Sequence, residues 1–144
     1  MKAITLEQPF ASLVSIGVKT IDTRPWSTDY RGPLAIHSGK SDMVVTDPYY
    51  RSLLIAAGLD CEQLPVEKII AIADLVGCEK VITSEIPCYP QLAFSDFISG
   101  WYVLELADIR PLETPVSARG DVKLWEWEED SFREPCLYHK LDKF

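Results

Sequence analysis

Lys19, Asp22 and Arg24 stand together in one short segment, Gly17-Val18-Lys19-Thr20-Ile21-Asp22-Thr23-Arg24. An ammonium and a guanidinium bind carbonyl or phosphate oxygens, and a nearby carboxylate orients an amine or a water. The same residues would also serve catalysis, with Lys19 polarising a carbonyl and Asp22 acting as general base. In a regular strand Asp22 and Arg24 share a face, and Lys19 lies opposite. The three converge only if Lys19 sits before the strand or at a bulge. The plainer reading of this spacing is a surface ion pair beside a helix end.

Trp26 and Tyr30 follow the cluster at once. An aromatic beside a cationic cleft offers a stacking surface for a base. The alternative for Trp26 is a packed aromatic cluster at one end of the core, which is the expectation for Trp101, Trp125 and Trp127. His37 closes a short strand. It reads as a structural histidine, and joins the candidate ligand contacts if that strand end opens on the cleft. Cys136 and His139 have the spacing of half a zinc site, but no second half accompanies them. No metal and no cofactor are therefore expected.

These residues need elements to hold them. Lys2 to Leu6 reads as a strand, and Pro9 suits the start of a helix carrying Phe10, Leu13 and Val14. Gly17 is a stop signal for that helix. The β-branched run Thr20 to Thr23 follows as a strand, ended by Arg24-Pro25-Trp26. Leu34 to His37 is a short strand after the turn at Arg31-Gly32-Pro33, and Asp47-Pro48 opens a helix that Gly58 stops. Glu67 to Val76 is the strongest buried strand, with Lys80 to Thr83 extending it or pairing with it across Gly77. Residues 84–96 are punctuated by proline and read as a loop. Trp101 to Ile109 is the next strand, with Pro111 and Pro115 expected to end it. Arg119-Gly120 marks a turn before a last strand, Lys123 to Trp127.

The 144 residues suit one domain over residues 1–144, and 47% hydrophobic residues suffice for a core without staples. No apolar run approaches the roughly 20 residues of a membrane span. The N-terminus lacks the apolar stretch of a signal peptide, so the expected place is the cytoplasm. Cys61, Cys78, Cys88 and Cys136 are scattered and expected to be reduced. The net charge of −8 argues against avid binding to any long polyanion. The charge is uneven, however. Among residues 1–40, Lys2, Lys19, Arg24, Arg31 and Lys40 outnumber Glu7, Asp22 and Asp29, while acidity is densest over 126–134. The basic third is the third that holds the cluster.

Three stretches carry a family resemblance: Gln8-Pro9-Phe10-Ala11-Ser12-Leu13, the segment 17–24, and Tyr30-Arg31-Gly32-Pro33-Leu34-Ala35-Ile36-His37. Together they resemble the ASCH family, whose signature is G-x-K-x-x-E-x-R after a short helix. Asp22 stands where glutamate is common and reaches one methylene less far. Trp101 to Leu104 and Arg119-Gly120 to Trp125 resemble the closing strands of that family more loosely. The resemblance implies an α+β fold, a PUA-like mixed β-barrel with short helices against it. It also implies a cleft between the first helix and the barrel. There Lys19 and Arg24 would face the ligand's oxygens, Asp22 its donors, and Ser12 the cleft wall.

Three functions follow as expectations. The first is a module that binds RNA or a modified nucleobase or nucleotide. The second is a small amidohydrolase acting on N4-acetylcytidine-like nucleosides, or an RNA-processing hydrolase. Relatives with the amidohydrolase activity place a nucleophilic threonine three residues after the lysine, where this chain has Asp22. Thr20 and Thr23 are out of phase with that position. The third is a protein-interaction domain that meets a basic partner through its acidic segment 126–134, although a charge run is more often a solvated face.

Overall fold

A computed structural model describes residues 1–40, 48–82 and 98–128. In chain order the elements are β1 (Lys2–Leu6), α1 (Phe10–Ser15), β2 (Ile21–Arg24), β3 (Gly32–Ser38), α2 (Pro48–Ala56), β4 (Lys68–Lys80), β5 (Tyr102–Ser117) and β6 (Leu124–Glu126). The strands form one sheet in the order β2-β5-β4-β3-β1-β6. β1 and β3 run parallel, and every other neighbouring pair runs antiparallel.

Most positions of β1 and β3 are buried because the sheet is covered on both faces. Ile4, Leu6, Leu34, Ile36, Ala73, Leu75, Leu104 and Leu106 turn to one face, where Ala11 and Val14 of α1 pack on them. Ala3, Ala35, Ile69, Ile72, Val116 and Trp127 form the second cluster. Leu13 of α1 meets Leu54 of α2 and Cys61 in a third. Cys61 and Cys78 are both free thiols.

The sheet is not flat. Register shifts interrupt the β4–β5 ladder at three places and the β3–β4 ladder at one. Each bulge adds twist and bend. The result brings β2, an edge strand, close to β1 on the far side of the sheet order: the Arg24 Nη2 donates to the carbonyl oxygen of Thr5 at 2.7 Å. A side-chain bond of that length across an open, flat sheet is impossible, since neighbouring strands are about 4.8 Å apart and three strands separate β2 from β1.

Of the two readings for the segment after Gly77, extension holds, since β4 continues through Gly77 to Lys80. One sequence expectation changes. Pro111 and Pro115 do not end β5, which continues to Ser117. Ala71 pairs with Pro111 and Ile69 with Val116, so the segment from Leu112 to Pro115 stands opposite Ile70 alone, in a bulge. Among the described residues β2 pairs with β5 only from Tyr102 to Glu105, so both prolines lie beyond the stretch it covers. Bulges and free edges are where a proline's missing donor costs nothing. The loop expected at 84–96, Asp47, and most of the acidic segment lie outside the described residues. No helix among the described residues is long and apolar enough to cross a membrane.

Candidate functional site

Helix α1 ends in a Schellman turn. The N–H of Gly17 donates to the Val14 carbonyl and that of Val18 to the Leu13 carbonyl, with Gly17 at φ 83°. Val18 then packs beside Leu13 in the third cluster. The Lys19 N–H also donates to the Leu13 carbonyl, at 3.1 Å. Lys19 is thereby fixed in the turn before β2, the position that convergence with the strand requires. The Thr20 carbonyl accepts from Leu106, and β2 then pairs with β5, Asp22 opposite Leu104 and Arg24 opposite Tyr102.

The side chains are not on open surface. Lys19 is 2% exposed, with its Nζ 5.8 Å from the centre of the Phe10 ring. The Arg24 Nε donates to Asp22 Oδ2 at 2.6 Å, with side-chain exposures of 22% and 12%. The surface ion pair of the plainer reading is thus a half-buried one, in a medium where charges interact more strongly than in water. The Arg24 guanidinium also lies over the Trp26 ring, 5.9 Å from its centre. Phe10 and Trp26, the two rings under the cations, both pack on the first core cluster. Cations over aromatic faces gain from the ring quadrupole, more so when desolvated. A planar, electron-rich ligand and an anionic oxygen fit the same surroundings.

Ser12 and His37 are held elsewhere. The fully buried Gln8 donates to Ser12 Oγ at 2.8 Å and to the Pro65 carbonyl at 2.7 Å, and its Oε1 accepts from the Ser12 N–H. Ser12 lines a recess with Asp60, Gln63 and Pro65, to which Lys19, Asp22 and Arg24 do not contribute. His37 pairs with Thr5 across the β1–β3 ladder, on the face of the second cluster. Its Nε2 lies 2.7 Å from the Ala118 carbonyl, which only accepts, so Nε2 carries a proton. The indole N–H of Trp125 donates to Thr5 Oγ1 at 3.0 Å, and with Nε2 protonated the Thr5 hydroxyl is free to donate to a neutral His37 Nδ1, 3.1 Å away. This is the pattern of a neutral imidazole. Burial pushes the His37 pKa below its ordinary value, against the opposing pull of the Ala118 bond and Glu67. The Trp125 ring stands edge-on to it at 5.3 Å.

Gly120 closes this network. A Cβ there would stand 2.6 Å from both His37 Cε1 and Thr5 Oγ1, so the glycine is required by close approach. Sequence reasoning missed Thr5, whose carbonyl holds Arg24 and whose hydroxyl holds His37. It also gave Gln8 and Phe10 no role at the site, though both stand in the stretch before Lys19. Among the described residues no group of three His, Cys, Asp or Glu is placed to hold a metal ion. Cys136 and His139 lie outside them.

The fold and cluster define a small mixed barrel whose first helix delivers a buried lysine to the start of an edge strand. The ASCH domain model matches residues 4–126, and the chain belongs to that family. Its fold is α+β, a PUA-like barrel. The ASCH protein of Zymomonas mobilis has a similar crystal structure, at TM-score 0.55 and 16% identity, covering 99% of this chain and 94% of that one. Two crystal structures of single-substitution variants of the same protein agree, at TM-scores of 0.55 and 0.54. No curated protein matches the chain.

Proposed function

We propose that this ASCH domain is a one-domain cytoplasmic module that binds short single-stranded RNA or a modified nucleobase in a cleft around Lys19, Asp22, Arg24 and Trp26. One observation carries the reading: Arg24 joins the Asp22 carboxylate and the Trp26 ring in a half-buried site beside β1. A base would stack on Trp26, its donors would meet Asp22, and its oxygens the two cations. The Asp22 carboxylate oxygens are acceptors, which suits recognition of an amino group. The overall acidity favours a single nucleotide or a short element over a long track.

A thermal-shift series with cytidine, N4-acetylcytidine and other modified nucleosides tests it. A ligand at about 100 times its Kd should add about 2.7 kcal/mol of stability. Lys19→Ala should abolish the shift while leaving a folded protein by circular dichroism. Absence of a shift with every nucleoside and short RNA would refute the reading. Chromatography of N4-acetylcytidine after incubation separates a binder from a hydrolase.

A further inference from the structure

We propose that the recess between the ends of β3, β4 and β5 is a phosphate subsite for single-stranded RNA leaving the cleft, an inference that rests on the RNA reading above. Antiparallel pairing puts the end of β3, the start of β4 and the end of β5 on one rim, since Lys68 is in register with both Ser38 and Ser117. Lys40 follows β3, Lys68 opens β4 and Arg119 follows β5. The three cations line one recess of about 530 Å³, together with Glu67 and the chain at Ser117 and Ala118.

The charge there runs against the molecule's average. In a chain of net charge −8, three cations face one carboxylate. Glu67 makes only a long, exposed pair with Lys40, at 3.9 Å. The Lys68 ammonium and the Arg119 guanidinium have no hydrogen-bond or ion-pair partner among the described residues. Converging cations left unneutralised repel one another, and an anion relieves that repulsion.

The neighbourhood selects a phosphate attached to a base. Arg119 also lines a second recess, of about 410 Å³, with Trp125 and Asp121. An aromatic ring and a cation cluster sharing one arginine match a nucleotide, with the base on the ring and the phosphate on the cations. A relay of hydrogen bonds inside the sheet also runs from the recess to Arg24. The Ala118 carbonyl holds His37, His37 bonds Thr5, and Thr5 holds Arg24.

The test is the salt dependence of binding, read by anisotropy of a fluorescein-labelled single-stranded oligoribonucleotide of mixed sequence. For single strands the log–log slope changes by roughly 0.7 per phosphate neutralised. The variant carrying Lys68→Ala and Arg119→Ala should bind more weakly, with a slope shallower by about that amount for each phosphate it no longer neutralises. A control carrying Arg51→Ala and Lys80→Ala, away from the rim, should keep the wild-type slope. The rim variant should also keep the wild-type thermal shift with an unphosphorylated nucleoside. A rim variant whose slope equals wild type overturns the subsite and leaves the cleft reading standing. Equal weakening in the control overturns it too, because the effect is then general charge. If wild type binds no RNA but is stabilised by a nucleoside, the subsite alone falls; if neither binds, both readings fall.

Discussion

His37 spends both ring nitrogens inside the protein, one on Ala118 and one on Thr5. Because burial lowers its pKa from 6.5, the unfolded chain takes up a proton at higher pH than the folded chain does. Below 6.5 the unfolded state therefore binds more protons. The stability contributed by neutral His37 is complete above that value and is lost as pH falls through the lowered folded-state pKa. Urea midpoints should hold steady at neutral pH and drop in mildly acidic buffer. His37→Gln should flatten that part of the profile; an unchanged profile would show that another group sets it.

At the scale of elements, the turn from α1 into β2 decides where Lys19 goes. Gly17 is left-handed, and a Cβ there meets nothing within 4 Å. Gly17→Ala therefore adds backbone strain without a clash, about 1 kcal/mol. Denaturant unfolding should show that loss, and ligand binding should weaken if Lys19 moves with the turn. This turn was legible in the sequence, since a helix stop needs only Gly17 and its neighbours. So was the pairing of Asp22 with Arg24, which period two alone puts on one face. The path of β5 through Pro111 and Pro115 was not legible, because a proline is tolerated only by virtue of which ladder side its partner strand leaves empty. Nor was the His37 network, whose partners Ala118 and Trp125 lie far along the chain. Periodicity sees neighbours within an element, and only the register of β1 on β3 puts Thr5 against His37.

For the whole molecule, Arg24 ties β2, one edge of a curled sheet, to β1, with three strands between them in the sheet order. It satisfies Asp22 on its own strand and Thr5 on β1. Arg24→Ala leaves a half-buried carboxylate and a carbonyl without their donor, at a cost of about 2–4 kcal/mol. That is a large share of the stability of a domain this size. Arg24→Lys should recover only part of it, because an ammonium lacks the fork that reaches two acceptors. Guanidinium melts of both variants measure the difference; equal stability of Arg24→Ala and wild type would remove Arg24 from this role.

The register of β6 gives that tie another meaning. β6 pairs with Lys2, Ala3 and Ile4 and then stops, so β1 runs past its neighbour with the Thr5 carbonyl facing outward. An unpaired strand edge is a template on which another chain can add a strand. Arg24 occupies that carbonyl with a charged side chain, and β2, the opposite edge, is only four residues long. Arg24 therefore also caps an outward acceptor on β1, so Arg24→Ala should raise light scattering from aggregates as well as lower stability.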